Sequence, residues 1–175
     1  VGRLDLVKNP ILLLEAFAKV AKVIPDVQLM VVGDGVLRQK IKTHIEKLRL
    51  HDRVILAGLR SAGEIADLLR VSSAFVLSSA YEGMPMSVLE ALGSGLPAAV
   101  TDVGEVRRIV KPGINGEIAK DHSPDALATA ILDCIKHCDA YNGKPCVDIA
   151  LNYVPSKVLA PVYENYRRLA SLPRK

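Results

Sequence analysis

Short β-branched apolar runs alternate with longer amphipathic stretches along nearly the whole chain, and this rhythm leaves few folds open. Strand candidates fall at residues 1–4, 27–32, 53–57, 74–77, 97–101 and 117–119. The second is an almost continuous apolar run closed by Gly33-Asp34-Gly35, the pattern of a buried strand followed by a tight turn. Helix signals fill the gaps. Asn9 caps a helix with Pro10 in its first turn, and Ile11, Leu14, Phe17, Ala18 and Ala21 recur at helical spacing. A second helix reaches about Leu48, and Ser61-Ala62-Gly63-Glu64 has the form of a capping box. A fourth helix runs from near Pro85 to Gly93 or Gly95, and Ser123-Pro124-Asp125 opens one reaching about Cys138. Residues 142–145 read as a loop, and a last helix from about Ser156 is expected to kink at Pro161. The expected fold is α/β: a Rossmann-like, doubly wound parallel sheet with helices on both faces, forming one domain over residues 1–175.

Composition removes several function classes. Tryptophan is absent and aromatics make up 4% of the chain, too few for a stacking surface, so no nucleic-acid partner is expected. A net charge of +4 suits an anionic small molecule or the face of an anionic membrane, and equally serves solubility. No apolar run approaches the length of a membrane span, so any membrane contact would be peripheral. Three cysteines (Cys134, Cys138 and Cys146), with no signal peptide, read as reduced thiols of a cytoplasmic protein. Cys134, His137 and Cys138 fall on neighbouring helical turns but lack the paired spacing of tetrahedral zinc sites, so no metal is expected.

A doubly wound sheet binds ligands at the carboxyl ends of its strands. The segments to inspect are therefore 3–8, 33–35, 58–60, 78–85 and 101–105. The richest is the strand–loop–helix tract Glu82-Gly83-Met84-Pro85-Met86-Ser87-Val88-Leu89-Glu90-Ala91. Gly83 permits close backbone approach to a ligand, and the first turn of the following helix offers free N–H groups to a phosphate. A carboxylate such as Glu90 can accept both hydroxyls of a ribose, and Glu82 can hold a sugar hydroxyl. With eight Glu in the chain the spacing of this pair carries little by itself; the glycine, the proline and the helix start carry the assignment. Arg3 and Lys8 follow the first strand and would face the same edge, supplying charge for a diphosphate leaving group without a metal. No Asp-x-Asp pair occurs.

Taken together, Val1-Gly2-Arg3-Leu4 with Lys8-Asn9, Val32-Gly33-Asp34-Gly35, the Glu82–Ala91 tract and Gly95-Leu96-Pro97 through Thr101-Asp102-Val103-Gly104 resemble the group 1 glycosyltransferases, the retaining family 4 with the GT-B fold. The resemblance runs from residue 1 to about 135, with Gly113 and Gly116 continuing it. It implies the C-terminal, donor-binding half of such an enzyme, with a nucleoside-diphosphate sugar (UDP- or GDP-linked) as donor and no further cofactor. Arg3 and Lys8 would bind the diphosphate and Glu90 the ribose. Glu82 would act at the transferred sugar, and the amides of Gly83, Met84 and Pro85, with Ser87, would surround sugar and phosphates. Gly58 and Arg60 would lie near the base. The family reaction retains anomeric configuration by front-face attack aided by the leaving phosphate, so no protein nucleophile is implied. An N-terminal acceptor domain of the same polypeptide is the implied partner, and the isolated domain should transfer little or no sugar. A place at the inner face of the membrane and a polysaccharide or lipid-linked sugar pathway are further implications of the family.

Many members carry a second glycine where Glu105 follows Val103-Gly104, so the loop near the sugar differs here. Three other readings stand beside this one. A nicotinamide-dependent dehydrogenase needs a third glycine that Gly33-Asp34-Gly35-Val36-Leu37-Arg38 lacks, and no P-loop string occurs. A nucleotide-sugar epimerase of related fold is the second. The third, from a different class, is a non-catalytic nucleotide-sugar-binding subunit that works only with a partner chain. The apolar stripe Val158, Val162, Tyr163, Tyr166 and Leu169 would serve an absent partner or this domain's own sheet.

Overall fold

The computed structural model describes residues 1–171, so the last four residues of the expected domain lie outside the described ones. Asn9, itself left-handed at φ 46°, caps α1 (Pro10–Val23) by accepting from the Leu12 amide. β1 (Leu29–Val32) leads through a turn into α2 (Arg38–Lys47), and β2 (Val54–Gly58) follows. The capping box is complete at α3 (Ala62–Arg70), where Ser61 and Glu64 exchange bonds. Then come β3 (Phe75–Leu77), α4 (Met86–Gly93), β4 (Ala98–Val100), α5 (Val106–Ile109) and β5 (Gly116–Ile118). The C-terminal helices are α6 (Pro124–Lys136), α7 (Cys138–Tyr141), α8 (Lys144–Ala150), α9 (Pro155–Val158) and α10 (Ala160–Ala170).

Every ladder is parallel. β1 pairs with β2, and β3-β4-β5 form a second sheet in sequence order. Five described strands stand where six were expected, because residues 1–4 form no ladder. Their extended backbone nevertheless joins β1: the Gly2 N–H donates to Val32 O and Leu4 N–H to Asp34 O, both at 2.9 Å.

Alternating side chains of β3 and β4 enter different cores, which is why their sequences are apolar throughout. Phe75, Leu77, Ala98 and Val100 join α4, α5 and α8 on one face through Val88, Leu92, Ile109 and Cys146. Val76 and Ala99 meet α1, α2 and α6 on the other, among Leu14, Phe17, Ile41 and Leu127. Helices on both faces of parallel strands make the doubly wound architecture.

Three expectations need correction. α5 was not foreseen, since four residues are too few to display a helical period. Lys144 and Pro145 belong to α8 rather than a loop, proline being compatible with a first helical turn. The last helix is broken, not kinked: α9 ends at Val158, and Pro161 sits in the first turn of α10. Residues 155–170 are exposed along their whole length, and the stripe of Val162, Tyr163, Tyr166 and Leu169 packs on neither core.

Candidate functional site

The loops that leave residues 1–4, β3 and β4 are stitched together at the carboxyl edge. The Ala80 N–H donates to Val7 O at 2.8 Å, and Ser78 Oγ donates to Lys8 O at 2.9 Å. These bonds fix the backbone of residues 7–8 against residues 78–80. The Lys8 N–H in turn donates to Asp5 Oδ1, closing a turn that points the Lys8 stem across Gly2.

Lys8 Nζ then meets Glu82 Oε1 at 2.6 Å, joining residues 74 apart in sequence. The pair is well sheltered, with Lys8 29% and Glu82 12% exposed. Ser79, fully buried, donates its hydroxyl to the same Oε1 at 2.7 Å. Thr101 Oγ1, at the end of β4, donates to Ser79 O at 2.7 Å. A chain of bonds thus runs Thr101–Ser79–Glu82–Lys8. Among the described residues Glu82 Oε2 has no bonded partner, which leaves one carboxylate oxygen for a ligand hydroxyl.

Gly104 holds the other side of this loop. Its φ is +51°, and a Cβ there would stand 2.3 Å from both Glu82 O and Gly83 O. The Glu105 N–H donates to Gly83 O at 3.0 Å while its carboxylate turns to Arg108. The departure at Glu105 therefore leaves the loop contact to the main chain, which any residue supplies. Gly33 and Gly35 play a comparable part beside residues 2–4, where a Cβ would meet Gly2 O at 1.9 Å and Leu4 O at 2.6 Å.

α4 starts directly after the loop with Pro85 at its cap and no side-chain cap bond. Among the described residues the Met86 and Ser87 N–H groups have no bonded partner, while the Val88 N–H donates to Pro85 O, so two first-turn amides remain for an anion in the turn that follows Glu82. Met84 packs into the core and Pro85 is buried, so both hold the loop rather than offer polar atoms. Ser87 is half-buried in the first turn and Glu90 exposed one turn on.

Arg3 stands apart from the Lys8–Glu82 contact, 84% exposed and 3.5 Å from Asp5. Gly58, at φ +71°, ends β2 and accepts from the Gly33 N–H, while Arg60 caps Leu59 O and pairs with Glu64. The structure therefore brings Lys8, Glu82 and Gly83 together, and leaves Arg3, Gly58 and Arg60 on adjoining loops of the same edge. Ser79 and Thr101 stand outside the site residues expected from the sequence, where their signal is position, immediately after a strand; Gly104 lies in the tract that carries the family resemblance.

Among the described residues no group of three or more His, Cys, Asp or Glu could hold a metal ion. Cys134 and Cys146 are buried free thiols, both pushed up to about 12, chiefly by burial. Among the described residues no helix is long and apolar enough to cross a membrane.

The sequence profile described as glycosyl transferases group 1 matches residues 1–142. The UDP-Gal:alpha-D-GlcNAc-diphosphoundecaprenol alpha-1,3-galactosyltransferase of Escherichia coli is 34% identical over 135 residues, 75% of this chain and 34% of that protein. The lipopolysaccharide 1,6-galactosyltransferase of Salmonella typhimurium is 33% identical over 116 residues, 65% of this chain and 32% of that one. The chain spans about a third of the length of these curated relatives. Anabaena HepE, solved in complex with UDP-glucose, matches with a TM-score of 0.79 at 25% identity, over 98% of this chain and 47% of HepE. The solved neighbours are GT-B glycosyltransferases, and the parallel α/β fold described above is theirs. With the profile covering residues 1–142 and the glycine-framed loop lying inside that match, the chain belongs to the group 1 glycosyltransferases.

Proposed function

We propose that this chain is the donor-binding domain of a retaining glycosyltransferase and that it binds a UDP-sugar at the carboxyl edge of its sheets. The observation that carries this is the Lys8–Glu82–Ser79 cluster beside the uncapped start of α4: cation, oriented carboxylate and free amides converge within one loop crossing. A nucleoside diphosphate needs positive charge for its phosphates, and a sugar needs an acceptor for its hydroxyls. Lys8 and the α4 amides supply the first, joined by Arg3 once a diphosphate draws it in. Glu82 supplies the second through Oε2, and Glu90 receives the ribose hydroxyls. Gly58 and Arg60, at the end of β2, border the base.

As the glycosidic bond breaks, charge builds on the diphosphate, and Lys8, Arg3 and the amides stabilise it without a metal. The acceptor attacks from the face the diphosphate leaves, so configuration is retained. UDP is favoured over GDP because the E. coli relative is named for a UDP-Gal donor and HepE was solved with UDP-glucose. The acceptor site belongs to an N-terminal domain of the same polypeptide, and the exposed apolar stripe of α10 supports a partner surface on this side. Such an enzyme works in the cytoplasm, at the inner face of the membrane when its acceptor is lipid-linked.

Calorimetric titration of residues 1–175 with UDP, GDP and ADP at low salt tests the proposal. UDP should bind, and sugar transfer by the isolated chain should be weak or absent. No heat with any of the three would overturn it.

A further inference from the structure

The excess of positive charge is gathered on one side of the fold. Residues 38–53, α2 and the turn after it, hold six Lys and Arg against Glu46 and Asp52, a balance as large as the +4 of the whole chain. α1 and α2 pack side by side on the same core, through Leu14, Phe17, Ile41 and Ile45. They meet where His44 Nε2 of α2 comes 3.4 Å from Glu15 Oε1 of α1. That contact fixes which sides of the two helices face each other. Lys40 and Lys47, four residues before and three after His44, lie on its stripe of α2. Lys19 and Lys22, four and seven residues after Glu15, lie on its stripe of α1. All four lysines are exposed, whereas His44 is 17% exposed, so the lysines border the seam and His44 lies in its floor.

Most of this charge is unspent. Lys19 is held by Asp125 of α6 at 2.8 Å, but among the described residues Lys22, Lys40 and Lys47 make no ion pair. The nearby carboxylates are turned elsewhere. Glu15 faces His44, Asp125 takes Lys19, and Asp26 lines the gap between β1 and β3. Glu46 lies about 100–120° round α2 from both lysines. Exposed apolar side chains close the row at both ends. Val36, one turn ahead of Lys40, is 87% exposed, and Val23, beside Lys22, is 63% exposed. Because each helix precedes a strand of one parallel pair, Val36 sits at the carboxyl edge and Val23 at the opposite one. A soluble polyanion would pair the lysines and leave both valines in water. An anionic bilayer takes both, with headgroups at the ammoniums and valine methyls at the acyl boundary.

We propose that the α1–α2 seam docks on an anionic lipid bilayer, Lys22, Lys40 and Lys47 meeting the headgroups and Val23 and Val36 entering the interface. α2 begins directly after the Gly33-Asp34-Gly35 turn of the carboxyl edge, so a bilayer on this face lies beside the donor loops and leaves them open. The inference rests on the membrane placement proposed above and names the surface responsible. Its assay contains no nucleotide, so it can fail while donor binding stands, and the reverse.

Sucrose-loaded vesicles of equal parts phosphatidylglycerol and phosphatidylcholine are sedimented with residues 1–175 at physiological ionic strength, beside vesicles of phosphatidylcholine alone. The chain should sediment with the first and stay in solution with the second. Lys40→Glu/Lys47→Glu should lower the partition coefficient by about tenfold or more, and Lys40→Arg/Lys47→Arg should preserve it. Lys40→Gln/Lys47→Gln, which removes the charge and keeps strong helix formers, should lower it as well. Lys120→Glu/Lys157→Glu, an equal change of net charge elsewhere on the surface, should leave it within about threefold of the wild type. Val23→Ser/Val36→Ser should weaken binding to vesicles and leave binding to soluble polyphosphate unchanged. Equal losses from the Lys40/Lys47 and Lys120/Lys157 glutamate pairs, or equal sedimentation with both kinds of vesicle, overturn the proposal. Undiminished vesicle binding by the serine variant, with polyphosphate bound as tightly as the vesicles, would make the partner a soluble polyanion and overturn the lipid assignment.

Discussion

Glu82 and a bound diphosphate compete for one cation, and this gives Glu82→Gln an unusual signature. In the free protein Lys8 Nζ is held by Glu82 Oε1 at 2.6 Å in a half-sheltered setting. A charge-assisted bond of this kind contributes about 1.5–3 kcal/mol, and the neutral amide replacing it about 1 kcal/mol. The substitution therefore frees about 0.5–2 kcal/mol of Lys8's interaction for phosphate, or about 2- to 30-fold in affinity. Ser79 can still donate to the amide oxygen, so the loop keeps its anchor. UDP should bind the variant more tightly than the wild type. A UDP-sugar should not share the gain, because it loses the carboxylate that accepts its hydroxyl, at a cost of about 1.5–3 kcal/mol. Titration of both proteins with UDP and with UDP-glucose, at low and moderate salt, separates the two effects. Parallel weakening of both ligands would refute the competition and reduce Glu82 to a structural role.

The cations and the ribose carboxylate yield simpler expectations. Lys8→Ala and Arg3→Ala should each weaken UDP by about 1.5–3 kcal/mol while leaving uridine unchanged; equal losses for both ligands in calorimetry would exclude phosphate binding. Glu90→Gln should weaken UDP, and 2′-deoxy-UDP should then bind as well as UDP does. Gly104→Ala places a methyl group 2.3 Å from two backbone oxygens at φ +51°, so unfolding in urea should show a loss of about 2–4 kcal/mol, with UDP-sugar binding reduced more than UDP binding.

How much of the fold could be read from sequence depended on burial. β3 and β4 send successive side chains into two different cores, so Phe75 to Leu77 and Ala98 to Val100 are apolar at every position and stand out. α1 and α3 carry their caps, Asn9 and Ser61 with Glu64, in the sequence itself. α5 has no cap bond and only four residues, and its inward Val106 and Ile109 form no period that could be recognised. The break before α10 escaped for another reason. Pro161 forbids an interior helical position without saying whether the chain bends there or starts afresh, and the cores that would decide are not in contact with residues 155–170.

The site was legible at the level of loops and illegible at the level of pairs. Parallel topology sends every loop after a strand to one edge, so Lys8, Glu82, Gly83 and Glu90 could all be assigned to that edge from the order of elements. No spacing rule could have joined Lys8 to Glu82 across 74 residues, because their meeting depends on how residues 7–8 lie against residues 78–80. That register is set by a serine hydroxyl and one amide, groups too common in the sequence to stand out. Ser79 and Thr101 show the same limit more sharply. Each is a small polar residue at a strand end, a position where either could equally have been solvated. Burial turns them into a relay, since a hydroxyl shut away from water must find an acceptor, and Ser79 finds Glu82 while Thr101 finds Ser79 O at 2.7 Å in preference to Leu77 O at 3.4 Å. The carboxylate's orientation is thus a consequence of desolvating its neighbours, so deleting the Ser79 hydroxyl should loosen Glu82 even though Ser79 itself never reaches a ligand.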